Sequence, residues 1–312
     1  MFDGHSDIVS CVKFSSYHRY YRNNDVQRLS VCSSSYDKTI RFWDFTTGKA
    51  FIVLSGHTDY VHGIEFSPFN NGRYVCSASS DKTIRLWDVE TSKSLHVFNG
   101  HKSGVLCVDI SQLQSSNRKH NNNNNNNNNN KMNNIGVIGG NGYTICSGSF
   151  DKTIRLWDLE SAKQCSIFKG HEDAVYCAIF MRTDAGGTML CSGSSDKTIR
   201  VWDIRSKKYI RVFRGHTNYV TCVACPSSQS GDMSVICSSS DDNTIRFWDI
   251  RANKELHAFK GSDHQADGIK CIQFLPSEDR LNHTTKSKLS HSDYHDYSLF
   301  YGSNKGPIYM WG

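Results

Sequence analysis

No apolar run in this chain approaches the length of a membrane-spanning helix, and the opening Met1-Phe2-Asp3-Gly4-His5 has neither the basic nor the apolar region of a secretory leader. The expectation from these absences is an intracellular chain, cytoplasmic or nuclear, away from membranes. A helical period is also lacking: apolar residues fall in short β-branched and aromatic runs between polar turns. There is no phosphate-cradling glycine loop, no H-E-x-x-H and no G-x-S-x-G. Cys222–Cys225 is a lone C-x-x-C, and the scattered histidines (His18, His96 and His257 among them) stand at no metal-ligand spacing; His291-x3-His295 reads as surface histidine. Neither a metal nor a cofactor is therefore expected, and no enzyme activity. A charge of one sign is missing too. The net charge is +6, but much of the charge lies in repeats of two bases and two acids, and no recognition helix accompanies it, so nucleic acid is not an expected partner.

What the chain does have is one phrase repeated. All six tryptophans occupy the same place in it. Trp43, Trp87, Trp157, Trp202 and Trp248 each end a run close to S-S-D-K-T-I-R-L-W-D, and Trp311 ends a degraded copy. A Gly-His pair precedes the first five: Gly4-His5, Gly56-His57, Gly100-His101, Gly170-His171 and Gly215-His216. The tryptophans recur at intervals of 44, 70, 45, 46 and 63 residues, a period of 44–46 with two insertions. Gly-His…Trp-Asp at this period resembles the WD-repeat (WD40) family of β-propellers, over nearly the whole chain.

The resemblance implies an all-β propeller of six recognisable blades in a single domain, residues 1–312. Ten of the twelve cysteines fall on two repeat positions and read as small buried fillers in a reducing compartment. In the second unit the runs Tyr60–Ser67, Tyr74–Ser79, Thr83–Asp88 and Ser94–Phe98 read as four antiparallel strands. Alternating directions put the Gly-His loop and the turn between second and third strands on one rim. The insertions all fall between first and second strands, at the opposite rim. Residues 112–142, with asparagine at every position from Asn121 to Asn130, read as a disordered loop in blade three, and 278–296 as a polar loop in blade six. About 23 strands are expected, the last blade lacking its outer strand. Two readings fit: a six-bladed ring with a raw edge, or a piece of a seven-bladed ring. The sixth unit is degenerate, with Lys305 in place of aspartate, Tyr301 in place of serine and His264 out of step.

Each good unit contains His, Ser and Asp, the ingredients of a nucleophilic triad. Recurrence in five units argues against catalysis, which needs one site. The resemblance implies a structural chain instead, indole to serine to histidine to aspartate: His57, Ser77, Asp81 and Trp87 in the second unit, His171, Ser192, Asp196 and Trp202 in the fourth.

Function is then expected on a face. Family members that read peptides do so on the Gly-His rim. The positions aimed at its mouth carry Tyr36, Tyr60, His62, Phe150, Tyr176, Tyr219 and Asp241, aromatic-rich and variable inside a fixed frame. These predict a non-catalytic scaffold holding protein or peptide segments in a multiprotein complex. A second feature is the W-D-x-R pair, Trp202–Arg205 and Trp248–Arg251, which resembles the box by which WD-repeat substrate receptors dock on the adaptor of cullin-4 ubiquitin ligases. Arg205 and Arg251 would then carry an adaptor contact.

Overall fold

Short β-branched runs separated by polar turns leave the backbone one economical way to satisfy its hydrogen bonds, in antiparallel sheets. The computed structural model describes residues 2–15, 29–112, 142–182, 188–226, 235–261, 268–276, 297–303 and 308–311. The asparagine tract, the whole 278–296 insertion, His264 and Lys305 lie outside the described residues.

Among the described residues, twenty-three strands form six antiparallel sheets, each in simple meander order, arranged as the blades of a propeller. Blade one is β1 (Val9–Phe14), β2 (Ser30–Ser35), β3 (Thr39–Asp44) and β4 (Ala50–Ser55). Blade two is β5 (Val61–Phe66), β6 (Tyr74–Ser79), β7 (Thr83–Asp88) and β8 (Lys93–Asn99). Blade three is β9 (Val105–Gln112), β10 (Tyr143–Ser149), β11 (Thr153–Asp158) and β12 (Gln164–Lys169). Blade four is β13 (Val175–Arg182), β14 (Thr188–Ser194), β15 (Thr198–Asp203) and β16 (Lys208–Arg214). Blade five is β17 (Val220–Ala224), β18 (Val235–Ser240), β19 (Thr244–Asp249) and β20 (Lys254–Lys260). Blade six has three strands among the described residues, β21 (Ile269–Pro276), β22 (Tyr297–Ser303) and β23 (Ile308–Trp311).

The first strands β1, β5, β9, β13, β17 and β21 run side by side in that order, so each blade packs face to face on the next. Between blades one and two, Ile40, Phe42 and Leu54 of one sheet meet Val61, Ile64 and Phe66 of the other. This stacking buries the second strand of a blade on both sides: β2, β6 and β18 are buried along their whole length. Cys32, Cys76, Cys146, Cys191 and Cys237 fill that strand at zero exposure. Among the first-strand cysteines, Cys177 is buried as a filler, Cys11, Cys107 and Cys222 are half-buried against the core, and Cys271 departs from the expectation in being exposed.

Two bulges recur. Each first strand shifts register after its opening residue, as at Val61/Gly63 and Val175/Cys177. In the five complete blades, the third strand shifts against the fourth just before its tryptophan, as at Leu86/Trp87. The second shift lets Asp88 pair with Lys93, which extends β8 one residue beyond each end of the run read from sequence. Bulges re-aim side chains, and here the first leaves one residue per blade on the Gly-His rim. Gly56 is required where it stands. Its φ of +155° suits glycine, and a Cβ there would meet the Trp87 ring at 3.0 Å.

Candidate functional site

Five blades carry the same hydrogen-bond chain. In blade two Trp87 Nε1 donates to Ser77 Oγ at 2.8 Å, His57 Nε2 lies 2.7 Å from the same oxygen, and His57 Nδ1 lies 2.7 Å from Asp81 Oδ2. In blade four Trp202, Ser192, His171 and Asp196 are joined at 2.8, 2.8 and 2.7 Å. Blades one, three and five repeat the chain from Trp43, Trp157 and Trp248. Chemistry assigns the protons. Indole can only donate and an ionised carboxylate only accept, so the indole donates to serine and Nδ1–H donates to the aspartate. With the imidazole neutral, the serine hydroxyl in turn donates to Nε2. Burial lowers the His101 and His171 pKa against the pull of their aspartates. The aspartates move down as well: burial opposes their charge, but hydrogen bonds from histidine, threonine and backbone overcome it. Asp37 falls to about 2, and Asp81 and Asp196 also lie well below the ordinary value.

Every serine in these chains is buried, its oxygen committed to tryptophan and histidine. A nucleophile needs an accessible lone pair, and none is offered. What the chain does is tie the Gly-His loop to the sheet. In blade six Tyr301 occupies the serine position and stacks on Tyr309 at 5.0 Å.

With the loops so anchored, the turn between second and third strands bonds back to the chain entering the first strand. Tyr36, Ser80, Phe150, Ser195 and Asp241 donate their N–H to Ile8, Tyr60, Gly104, Ala174 and Tyr219. These ties hold side chains from neighbouring blades within reach of one another. Tyr36 stacks on Tyr60 at 4.5 Å and 12°, and presents an edge contact to His62 at 5.4 Å. His62 meets Phe150 at 6.5 Å, Phe150 meets Tyr176 at 6.4 Å, and Tyr176 stacks on Tyr219 at 6.0 Å. Six rings from blades one to five thus form one unbroken arc on the Gly-His rim. Tyr60, Phe150 and Tyr219 are exposed, while Tyr36, His62 and Tyr176 are half-buried.

The polar groups around the arc are organised too. His62 Nε2 lies 2.7 Å from Ser80 Oγ, and burial lowers its pKa against the raising effect of Asp59. Burial, then Tyr176, Tyr60 and Asp7, push the Tyr36 phenol up. Asp241 stands beyond the Tyr219 end of the arc and accepts from Lys270 Nζ at 2.6 Å. Lys270 escaped the sequence reading, although it shares the first-strand position of His62 and Tyr176. Also unforeseen is a half-buried charge cluster contributed by three neighbouring first strands. Lys13 Nζ donates to Glu65 Oε2, and Asp109, equivalent in position to both, accepts the Phe180 and Ile110 N–H groups at 2.8 Å. Burial and the Glu65 charge raise Asp109 to about 7. Among the described residues, no cluster of three or more His, Cys, Asp or Glu could hold a metal.

Arg205 and Arg251 lie in the turns after β15 and β19, at the rim opposite the arc, and both are exposed. The Arg205 N–H donates to Asp203 Oδ1 at 2.9 Å, and hydrogen bonds from Ser206 and this N–H hold the Asp203 carboxyl low. No helix among the described residues is long and apolar enough to cross a membrane.

Comparison with known proteins adds the following. The family profile described as WD domain, G-beta repeat matches residues 1–44, 48–88, 92–116, 133–158, 162–203 and 207–249. The chain is 29% identical over 150 residues to cell division control protein 4 of Saccharomyces cerevisiae, covering 48% of this chain and 18% of that protein. It is 29% identical over 177 residues to nuclear distribution protein PAC1 of Coccidioides posadasii, covering 57% of this chain and 35% of that protein. It is 32% identical over 66 residues to small ribosomal subunit protein RACK1y of Oryza sativa subsp. japonica, covering 21% of this chain and 17% of that protein. The chain thus spans about a third or less of the relatives named here.

Proposed function

The chain belongs to the WD40 repeat family, and from that premise we propose that it is a non-catalytic scaffold that holds peptide segments of partner proteins on its Gly-His rim. The observation that carries this reading is the unbroken arc of six rings from Tyr60 to Tyr219. Tyrosine and phenylalanine offer large, stiff contact area at little cost in conformational entropy, and clustered aromatics with polar neighbours are what binding hot spots are made of. Asp241, paired with Lys270, sets a polar boundary at one end and would fix the register of a bound segment. The buried serine of each His–Ser–Asp set supports a structural rather than a catalytic role.

The test is affinity purification with mass spectrometry. Replacing Tyr36, Phe150, Tyr176 and Tyr219 together by alanine removes the arc while leaving the blade cores intact. Partner recovery should fall at least tenfold, with unchanged circular dichroism. Recovery equal to wild type would remove the reading.

A second reading has one observation in its favour: Arg205 and Arg251 are both exposed at the same turn of adjacent blades. On it, the chain is a substrate receptor that docks on the adaptor of a cullin-4 type ubiquitin ligase through the opposite rim, by charge-assisted contacts. Adaptor recovery that an Arg205→Ala/Arg251→Ala variant abolishes would favour it. Adaptor recovery that the variant keeps would dismiss the two arginines.

A further inference from the structure

The repeat frame allows blades to be compared position by position, and blade three stands apart at the outer edge of the Gly-His rim. Three positions lie there in each complete blade. They are the residue after the Gly-His pair, the residue after the turn aspartate, and the last residue of the fourth strand, which pairs with the threonine opening the third. In blade one these are Ser6, Lys38 and Ser55, and in blade two Thr58, Lys82 and Asn99. Blade four has Glu172, Lys197 and Arg214, and blade five Thr217, Asn243 and Lys260. Of these five blades, only blade three is cationic at all three, with Lys102, Lys152 and Lys169.

Those three lysines line one cavity of about 470 Å³, which the Gly170-His171 loop of the next blade also borders. Arg155 is a fourth cation in its wall, against a single carboxylate, Asp151. That carboxylate is already committed. It accepts from His101 Nδ1 at 2.8 Å, the Lys102 N–H at 2.9 Å and Thr153 Oγ1 at 2.5 Å, and Arg155 lies 3.5 Å away. Arg155 is committed too, its Nη1 donating to Gln164 Oε1 at 2.5 Å. Lys152 donates to the Glu172 carbonyl at 2.7 Å, which leaves two of its three N–H groups. All three lysines are exposed, and among the described residues no carboxylate pairs with them.

Like charges held together on a rigid frame repel, and an anion seated among them relieves the repulsion. A carboxylate is singly charged, planar and best matched by a guanidinium fork, but the guanidinium here is in use. Lysine is a point charge with three donors and suits a compact polyanion. A phosphate monoester brings a charge of about −1.5 to −2 at pH 7 and three acceptor oxygens. The volume falls in the range of small-ligand sites, about 300–1,000 Å³, and Ile167 supplies apolar wall for an organic remainder.

We propose that this cavity binds a phosphate monoester, with Lys102, Lys152 and Lys169 holding the phosphoryl oxygens. The site lies outside the aromatic arc and stands whether or not the arc holds a peptide. Two sources share the chemistry, a phosphorylated serine or threonine side chain and a phosphorylated small molecule.

Phosphorus NMR titration of the full chain tests this, with inorganic phosphate, acetyl-phosphoserine amide and ribose 5-phosphate as probes at one ionic strength. At least one ester should respond saturably to the wild type and bind more tightly than inorganic phosphate. A Lys102→Gln/Lys169→Gln variant keeps most of the side-chain length and should weaken that binding at least tenfold. A Lys38→Gln/Lys82→Gln variant removes the same charge from exposed positions of blades one and two and should leave binding within twofold. The fourfold aromatic variant should bind the ester as the wild type does, so failure of the peptide reading and failure of this one are told apart. Circular dichroism checks that each variant is folded. Tighter binding of phosphoserine assigns a modified protein as the source, and tighter binding of ribose 5-phosphate a small molecule; either supports the site. No saturable response to either ester would overturn the proposal. So would binding that survives in the Lys102/Lys169 variant, an equal loss in both lysine variants, which reduces the effect to net charge, or a loss in the aromatic variant.

Discussion

Blade two and blade six are copies of one phrase in different company. In blade two both faces of the sheet are covered, Trp87, Ser77, His57 and Asp81 are joined in one chain, and Ile84 and Leu86 have no exposure. In blade six Tyr301 stands where that chain needs serine, and Ile308 and Met310, at the positions of Ile84 and Leu86, face outward. The difference teaches that a blade is not stable by its own composition. Each sheet is one half of two junctions, and burial is conferred by the neighbour, as in repeat proteins generally.

The comparison is broken most readily by core truncation. Trp87→Ala should destabilise the chain by about 3–5 kcal/mol in denaturant unfolding. Met310→Ala should change stability by no more than about 0.5 kcal/mol, since the side chain is exposed. Equal costs would show that the blades are equivalent after all. A smaller effect belongs to the hydrogen-bond chain. Ser77→Ala leaves the Trp87 indole N–H and His57 Nε2 without their serine partner and should cost about 1–3 kcal/mol, against a near-neutral Tyr301→Phe.

Smaller again is the pH dependence. His101 and His171 have pKa values below the ordinary 6.5, so between the two values the unfolded chain binds more protons than the folded one. Their stabilising effect is full above about 6.5 and is lost as pH falls through the folded values. Thermal unfolding at pH 7.5, 6.5 and 5.5 should show a falling Tm, with a shallower fall in His101→Gln/His171→Gln. A flat profile in the wild type would contradict neutral, buried imidazole. The aspartates act lower down. Asp37 loses its contribution as pH drops from 3.8 towards about 2, outside that window.

The repeat phrase made the propeller, the alternation of rims and the make-up of each hydrogen-bond chain legible, because these are local and recur. Tyr74–Ser79 and Thr83–Asp88 are strands β6 and β7 to the residue. What crosses between blades was not legible. That Tyr36 stacks on Tyr60 rather than packing inward depends on the angle between two sheets, which no single repeat encodes. The Lys13–Glu65 pair and Asp109 come from three blades and meet only where their first strands neighbour one another. The exposure of Val12 and Ile308 is invisible for the same reason: both are apolar residues in good strands, and only their surroundings in the fold distinguish them from the buried Ile64 and Ile84.

The most direct test of the binding face is hydrogen–deuterium exchange of the chain with and without a partner recovered by it. The account predicts slowed exchange at the Gly-His rim of blades one to five, around Tyr36, Tyr60, Phe150, Tyr176 and Tyr219, with the opposite rim unchanged. Protection centred on the turns that hold Arg205 and Arg251, with the aromatic arc unaffected, would contradict it.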